Sequence, residues 1–402
     1  MSLRVVVIGA GLTSRVVVLG LARDDLSPEV EEILVADIDA LAAKKVAEEA
    51  RRLSPSRKIE WKEVDARDVD RTAELIAGYD VVMNCALFKV IPYVTRAALK
   101  AGVGYIDLGS DRETLQWQLS LDDDFRERGI AAVPGIGGSP GLVNVLARLA
   151  ADCLDEVREV RMREGWVDFV DYESLGIPLP VPYSLETILD EFIYGGEIWI
   201  EGKTQPVPPM GGKEEYSFPE PIGVQTCYYV DHQETWSVGE TFKDKGLKLV
   251  DYKLSFPREL FLKYKMLAGL GFASESEVEI AGCKVSPLQV LKALVRETYR
   301  GKEWSPNDID AIVVEAKGSK EGKECSVRVT AVARSWSSPP ASAHGVIVAG
   351  PACTVAKWIG LGKLEPGVLL PERDLDPDPF LREVSRFGVS VDLTLTLEEA
   401  RW

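Results

Sequence analysis

Apolar residues in the first 150 positions recur in short runs that alternate with segments of helical spacing. The runs cover 4–8, 32–37, 59–65, 80–86, 105–109 and 130–135. Between them, segments such as 41–53 and 91–102 space apolar residues by three and four positions, which predicts amphipathic helices. Strands that alternate with helices form a parallel sheet covered on both faces. The pattern therefore predicts α/β structure, a doubly wound parallel sheet of the Rossmann type with six strands.

The pattern changes after residue 154. Residues 156–167 and 323–336 alternate polar and apolar positions, which is typical of antiparallel strands with one wet face. Proline and glycine are concentrated at 176–183 and 206–212, which predicts loops. Residues 344–362 return to helical spacing. We therefore expect a separate α+β domain over about 155–340.

Charge and composition exclude several partners. The chain has 402 residues and a formal charge of −17, which repels nucleic acid and anionic lipid. No apolar window approaches the ~18 residues needed to cross a bilayer, and we find no signal peptide. The six cysteines form no CxxC pair and only His232 and His344 are present, so we predict reduced thiols and no metal site. We expect a cytoplasmic protein that binds neither nucleic acid nor membrane.

The most informative local motif is a glycine turn that follows the first strand. Gly9 permits a tight turn, and Gly11 lets a pyrophosphate approach the backbone. A helix that begins near Leu12, with Thr13 and Ser14 in its first turn, then directs free N–H groups at the phosphates. Ser14 stands where the common fingerprint has a third glycine, but it is still a small residue. The alternative, a glycine turn without a ligand, remains open.

An acidic residue ends the second predicted strand. Asp37 lies where the dinucleotide fingerprint places a carboxylate on the adenosine ribose, and Ile38 follows it. A carboxylate at this position repels a 2′-phosphate, so NAD is favoured, with NADP possible. The alternative is that Asp37 only caps the next helix.

Ligands of open α/β sheets bind at the carboxyl ends of the strands. Asn84, Cys85 and Ala86 end the fourth strand, so we expect them beside the cofactor. Asp107 ends the fifth, where a carboxylate is unusual; it either faces the substrate or accepts hydrogen bonds from loop amides. A second glycine-rich helix entry begins near Ser139, which either holds a substrate carboxylate or forms a plain hinge.

The ordered set of motifs resembles the saccharopine reductase and lysine 6-dehydrogenase family. The matching segments run in collinear order through most of the chain: 9–15, 64–68, 84–87, 102–109, 137–144, 182–192, 201–209, 240–246, 250–257, 270–287 and 367–372. The resemblance implies an NAD(P)-binding Rossmann domain over 1–140 and a mixed-sheet domain over 141–342 for substrate binding and dimerisation. It implies that 343–402 returns to the Rossmann domain, and that the protein is a homodimer.

The resemblance also implies roles for individual residues. Asp65 and Ala66 would lie near the adenine, and Cys85 and Ala86 near the ribose and nicotinamide. Asp107 would face the reacting centre. Substrate contacts would come from the helix entry with Ser139, Gly141 and Asn144.

Two departures weaken saccharopine as the substrate. Ser255 and Glu186 stand where saccharopine reductases have arginines that suit its carboxylates. Arg258 offers a substitute for one of these arginines, and Glu186 offers a site for an ammonium group.

We therefore predict an NAD(P)-dependent dehydrogenase that acts on a C–N bond of an amino acid, in the manner of lysine 6-dehydrogenase or saccharopine dehydrogenase. The hypothesis makes Asp107 the proton acceptor. Two alternatives remain: a carboxynorspermidine-type enzyme that condenses an amine with an aldehyde and reduces the imine, and a dinucleotide-binding sensor without turnover.

Overall fold

A parallel sheet of seven strands forms the first half of the molecule. The computed structural model describes residues 2–397. Numbered in chain order, the strands are β1 (Leu3–Ile8), β2 (Val30–Asp37), β3 (Lys58–Glu63), β4 (Val81–Asn84), β5 (Gly104–Asp107), β6 (Ala131–Val133) and β19 (Gly367–Val368). Their spatial order is β19-β6-β5-β4-β1-β2-β3, so successive strands are added outward in opposite directions from the point between β1 and β4. The predicted α/β fold class and the six predicted strands are confirmed, with β19 added at the edge.

Helices cover both faces of this sheet, which explains the nearly continuous apolar runs in its strands. They are α1 (Leu12–Ala22), α2 (Ala40–Leu53), α3 (Val69–Ile76), α4 (Ile91–Ala101), α5 (Arg112–Leu119), α6 (Asp122–Arg128) and a 3₁₀ turn at Phe88–Val90. Local sequence fixes their ends. The Asp39 side chain caps α2 by accepting from the N–H groups of Leu41 and Ala42, and α4 stops at Gly102, which has a φ of 69°.

A nine-stranded mixed sheet forms the second half. Its strands are β7 (Glu156–Asp168), β8 (Glu197–Ile200), β9 (Lys203–Pro206), β10 (Glu214–Ser217), β11 (Val224–Tyr229), β12 (Leu249–Ser255), β15 (Asp308–Lys320), β16 (Lys323–Arg334) and β20 (Ser390–Leu397). The predicted strand at 156–167 is central: β7 pairs in parallel with β12 and antiparallel with β15. The mixed sheet is thereby confirmed.

The remaining elements connect and cover the two sheets. They are α7 (Leu142–Asp152), α8 (Leu185–Ile193), α9 (Glu234–Phe242), a 3₁₀ turn at Lys243–Lys245, α10 (Arg258–Gly269), β13 (Val278–Ile280), β14 (Cys283–Val285), α11 (Pro287–Tyr299), β17 (Trp336–Ser337), β18 (Pro340–Ala341), α12 (Ala343–Gly360), α13 (Pro371–Asp374) and α14 (Pro377–Ser385).

The C-terminal segment divides between the sheets. Helix α12 packs against α1 and β5, and β19 joins the parallel sheet beside β6. Strand β20 instead pairs with β16 of the mixed sheet, which differs from the predicted return of the whole of 343–402 to the Rossmann domain. The period-two alternation of Val391, Leu393 and Leu395 suits a strand, and β16 offers an open edge. Among residues 2–397, no helix is long and apolar enough to span a membrane.

Candidate active site

The glycine turn after β1 has the geometry of a phosphate cradle. Gly9 has a φ of 106°, and a Cβ there would lie 2.8 Å from backbone atoms of Cys85 and Ala86. Only glycine fits between β1 and the end of β4. Gly11 has ordinary backbone angles, and a Cβ there would meet only the Ser14 hydroxyl, at 3.9 Å. The space above Gly11 is therefore open to a ligand.

The first turn of α1 is prepared for an anion. Gly11 provides no side-chain cap, and no acidic residue lies in the first turn. The initial N–H groups of a helix have no partner within the helix, and the helix dipole is positive there. Leu12 is exposed and Thr13 half-buried beside them, while Ser14 is buried and donates to the Gly11 carbonyl at 3.1 Å.

The Asp37 carboxylate joins the end of β2 to the glycine turn. Its oxygens accept the N–H groups of Ala10 at 2.7 Å and Asp39 at 2.8 Å. The cap of α2 is Asp39, so the alternative that Asp37 caps this helix is wrong. Each Asp37 oxygen retains a lone pair for a ribose hydroxyl. Ile38 is 61% exposed next to it and offers an apolar surface to an adenine.

The remaining cofactor candidates line the same edge of the sheet. Asp65 is bound by Arg67 in an exposed ion pair at 2.7 Å, and Ala66 is buried behind it. Asn84 is 1% exposed, and its amide Nδ2 has no partner among residues 2–397. This unpaired donor, with the cradle at Gly9 and Gly11, shows that the residues present fit a dinucleotide.

Asp107 is fully engaged by its own fold. One carboxylate oxygen accepts the N–H groups of Gly109 and Gly135, both at 2.9 Å. The other accepts from Tyr105 at 2.8 Å and Gln118 at 2.7 Å. The residue is 1% exposed, so no lone pair is free for a substrate proton. The geometry supports the structural interpretation of Asp107 and disfavours the hypothesis that it is the proton acceptor.

The second glycine-rich helix entry has both local and site roles. The Asn144 amide accepts from the Gly141 N–H at 2.9 Å and donates to Glu372 at 2.9 Å, and its side chain is 2% exposed. Gly141, with a φ of 120°, packs against Gly137. These two residues hold the start of α7 and are not available to a substrate. Ser139 differs, because its hydroxyl lies near the Glu164 carboxyl and is buried without a hydrogen-bond partner within the described residues.

Four buried carboxyl groups gather where the mixed sheet meets the parallel sheet. Glu164, Glu191, Glu234 and Asp310 are each at most 5% exposed, and we call them the carboxylate cluster. Both histidines of the chain lie among them. The four carboxyl groups outnumber the two imidazoles, so the cluster offers more hydrogen-bond acceptors than cationic donors.

Short contacts organise one side of the carboxylate cluster around His344. The Nδ1 atom of His344 lies 3.2 Å from an Asp310 oxygen and 4.0 Å from Glu164 Oε1. One nitrogen or oxygen atom from each of these three residues, of the kind that can ligate a metal, lies within 4.8 Å of the other two. Tyr183 stacks on the His344 ring with centroids 4.9 Å apart, and its hydroxyl donates to both oxygens of Glu191 at 2.9 Å. Nothing in the sequence indicated that Glu164, Asp310 and His344 would lie together, because the chain has only two histidines and these three residues are far apart in it.

Tyr252 and His232 organise the other side. The Tyr252 hydroxyl donates to Glu164 Oε2 at 2.9 Å, and its ring stacks on His232 at 4.4 Å. His232 Nδ1 lies 2.9 Å from Glu234. The other oxygen of Glu234 and one oxygen of Asp310 have no partner within the described part of the chain.

Loops at the carboxyl edge of the parallel sheet hold the cluster in place. Ser139 comes from the loop that follows β6. The N–H of Gln233, between His232 and Glu234, donates to the Ser110 carbonyl beyond β5 at 2.9 Å. The cluster therefore lies on the side of the sheet where the strand ends present the nicotinamide half of a dinucleotide.

Burial and mutual repulsion alter protonation within the cluster. Burial raises the pKa of Glu191 to about 8, although His232 and the Tyr183 hydrogen bond oppose it. Burial and the Asp310 charge raise the pKa of Glu164 well above its usual range. Burial lowers the pKa of His232, but Glu234, Glu191 and Glu164 outweigh it and raise this pKa to about 9. Around neutral pH the cluster can therefore both accept and donate protons.

Glu186 and Arg258 lie outside this cluster. Glu186 lines a neighbouring cavity of about 430 Å³ and is already paired with Lys292 at 2.9 Å, so an internal lysine occupies the predicted ammonium site. Arg258 is exposed at the start of α10, and no hydrogen bond or ion pair within residues 2–397 fixes it. In the same cavity, Lys89 after β4 pairs with Glu275 after α10 at 2.6 Å and links the two halves of the molecule.

Comparison with known proteins finds a family match in the first third of the chain and distant relatives over most of its length. Residues 5–133 match the family of the saccharopine dehydrogenase NADP binding domain. Carboxyaminopropylagmatine dehydrogenase of Synechocystis sp. is 25% identical over 96% of this chain and 96% of that protein. Carboxynorspermidine synthase of Vibrio cholerae is 26% identical over 84% of this chain and 83% of that protein.

Two solved structures have the same overall fold as this chain. Saccharopine dehydrogenase (L-Glu forming) of Saccharomyces cerevisiae has a TM-score of 0.73 at 15% identity, and covers 98% of this chain and 100% of its own. Homospermidine synthase of Legionella pneumophila, in complex with NAD, has a TM-score of 0.69 at 12% identity. The match covers 98% of this chain and 92% of that chain. The predicted fold is thereby confirmed. The match of residues 5–133 to the saccharopine dehydrogenase NADP binding domain confirms the resemblance inferred from the sequence and the NAD(P) cofactor.

Proposed function

We propose that this chain, a saccharopine dehydrogenase-like NAD(P)-binding oxidoreductase, reduces an imine formed between a positively charged aliphatic amine and a carboxyl-bearing aldehyde. This is the carboxynorspermidine-type alternative of the sequence analysis, and it is favoured over oxidation of lysine. The product is a secondary amine of the polyamine type.

The carboxylate cluster is the observation that carries the proposal. A buried carboxylate oxygen that accepts no hydrogen bond is unfavourable, and a ligand N–H group placed beside it removes that cost. Two oxygens of the cluster, on Asp310 and Glu234, are buried without a partner within the described residues. An alkylammonium group supplies up to three N–H donors and a positive charge. The cluster therefore suits a protonated amine better than a carboxylate-rich substrate such as saccharopine.

The names of the relatives support the same substrate class. The curated proteins that match over most of their length are named for carboxyaminopropylagmatine and carboxynorspermidine, which join a carboxyl group to an amine chain. The absence of arginines at positions 186 and 255 agrees, because a polyamine offers fewer carboxylates than saccharopine.

The residues of the chain divide the remaining work. The glycine turn and the start of α1 hold the pyrophosphate, and Asp37 holds the adenosine ribose, which favours NAD over NADP. When bound, the nicotinamide supplies the hydride that reduces the imine carbon. The carboxylate cluster binds and orients the amine, and the Lys89–Glu275 pair helps to close the cleft against water.

An absorbance assay tests the proposal. Purified protein is mixed with NADH or NADPH, one amine from a panel of diamines and guanidino amines, and one carboxyl-bearing aldehyde. We expect cofactor oxidation only when amine and aldehyde are both present. A monoamine of equal length, which lacks the distal positive charge, should react poorly.

Two other results would contradict the proposal. Reduction of NAD by lysine alone, with no coupling in any pair, would favour a lysine 6-dehydrogenase. Tight cofactor binding without turnover in either direction would favour the non-catalytic sensor.

A further inference from the structure

Coupling an amine to an aldehyde requires two opposite proton transfers. The amine arrives as RNH3⁺ and must lose a proton before its lone pair can attack the aldehyde carbon. The carbinolamine that forms must then gain a proton on its hydroxyl, so that the C–O bond breaks and water leaves with the iminium ion. A single carboxyl group can accept the first proton and donate it in the second step.

We infer that Glu164 is the catalytic acid–base group of this reaction. The inference rests on the function proposed above and identifies the residue that handles the proton. In the balanced sequence, RNH3⁺ gives a proton to the Glu164 carboxylate, RNH2 adds to R′CHO, and the Glu164 proton leaves as part of water. The iminium then takes a hydride from NAD(P)H, which gives R′CH2NHR and NAD(P)⁺.

Geometry distinguishes Glu164 from the other members of the carboxylate cluster. Both oxygens of Glu191 accept from Tyr183, and Glu234 is 0% exposed against His232. Asp310 is 1% exposed and is bonded to His344. Glu191 is thereby fully engaged, whereas Glu234 and Asp310 are each held through one oxygen by a histidine and keep a buried oxygen for the substrate ammonium group.

Glu164 is the carboxyl that meets both halves of the molecule. Its Oε2 accepts from Tyr252, while its Oε1 is 4.0 Å from the nearest histidine nitrogen, on His344. Ser139, from the loop after β6 of the parallel sheet, lies beside it. The His344 side chain, which contacts Glu164 and Asp310, is 24% exposed. A substrate nitrogen held between Ser139 and His344 would therefore lie within reach of Oε1 of Glu164, the oxygen that Tyr252 does not hold.

The surroundings of Glu164 keep both of its protonation states accessible. Asp310 on β15 repels its negative charge, whereas His344 on α12, Tyr252 on β12 and Ser139 stabilise that charge. Glu191 and His232 lie further round the same cluster. Burial combined with Asp310 raises the pKa of Glu164 toward neutral pH, where an acid–base catalyst is most efficient.

Substitution of Glu164 tests the inference. Glu164→Gln keeps the shape and can still accept from Tyr252, but it cannot carry the proton. We expect kcat to fall on the order of 10²–10⁴-fold, and the acidic limb of the pH profile of kcat/KM to disappear. Binding of NADH, followed by its fluorescence, should stay within twofold of wild type. Glu159→Gln, on the same strand but half-exposed and paired with Arg161, is the matched control and should behave as wild type.

An isotope effect separates a chemical role from a structural one. With cofactor deuterated at the transferred position, slow condensation in Glu164→Gln should move the isotope effect on kcat toward one. Glu164→Asp retains a carboxyl group, so its kcat should be at least tenfold higher than that of Glu164→Gln. Its pH profile should again show the acidic limb. If Glu164→Gln fails to fold, the rate and pH profile of Glu164→Asp decide the question.

The inference and the proposed function can fail separately. If the wild-type protein couples no amine–aldehyde pair, the proposed function fails. If the wild type couples them while Glu164→Gln keeps kcat within threefold and retains its acidic limb, Glu164 is not the acid–base group. The same holds if Glu164→Asp shows a profile without that limb.

Discussion

The two glycines of the β1 turn provide a matched pair of substitutions. At Gly11 the φ of −79° suits alanine, and a Cβ has only the Ser14 hydroxyl nearby, at 3.9 Å. Gly11→Ala should therefore leave the stability of the free protein within about 1 kcal/mol of wild type. The methyl group would nevertheless occupy the space in which the pyrophosphate approaches the backbone.

The expected loss of affinity at Gly11 follows from the hydrogen bonds at stake. Bonds from neutral donors to charged groups contribute about 1.5–3 kcal/mol each. Displacing the pyrophosphate from one such bond should raise the Kd of NADH by roughly 10–150-fold, at 1.4 kcal/mol per factor of ten. A fluorescence titration of NADH measures this change, and the melting temperature without ligand measures stability.

Gly9→Ala is the contrasting variant. A Cβ there would lie 2.8 Å from backbone atoms of Cys85 and Ala86, and the φ of 106° is strained for alanine. We expect a loss of about 2–4 kcal/mol in stability together with weaker cofactor binding. If Gly11→Ala binds NADH as the wild type does, the turn does not hold a pyrophosphate by close approach. If the melting temperature of Gly9→Ala equals that of the wild type, the close contact between Gly9 and the end of β4 does not exist.

Three further predictions concern carboxylates. Asp37→Ala should lower the ratio of kcat/KM for NADH over NADPH at least fivefold; an unchanged ratio would remove the ribose contact. Asp107→Asn leaves buried donors without an acceptor, so it should cost about 2–4 kcal/mol in thermal unfolding while kcat stays within threefold; a larger loss of kcat would restore Asp107 as the base. Folding raises the pKa of Glu191 from 4.5 to about 8, so the folded state favours the protonated carboxyl. The resulting stabilisation is complete below pH 4.5 and is lost as the pH rises through 8. Glu191→Gln should therefore reduce the fall in melting temperature between pH 5.5 and pH 9, and an unchanged fall would contradict the shift.

The parallel sheet and its glycine turn were predictable because their signals are local. Apolar runs set the strands, and Gly9, Gly11 and Asp37 lie at fixed positions relative to the ends of β1 and β2. Strand β20 was missed, although its alternating leucines suit an edge strand, because its partner β16 lies about 60 residues earlier in the chain.

The carboxylate cluster could not be found from local signals. Glu164 lies on β7, Asp310 on β15 and His344 on α12, so only the tertiary fold brings them together. Within β7, Glu164 sits in a polar and apolar alternation that is equally typical of a solvated strand face. Asp107 was misleading for the opposite reason: a carboxylate at a strand end suggests catalysis, but here it accepts hydrogen bonds from two loop amides and two side chains.

In the proposed reaction, hydride reaches the carbon of a newly formed C–N bond. The most direct test is the mass of the product made from amine, aldehyde and nicotinamide cofactor deuterated at the transferred position. We expect a secondary amine that carries one deuterium on the carbon derived from the aldehyde. Deuterium found instead in an alcohol, or a coupled product without deuterium, would contradict it.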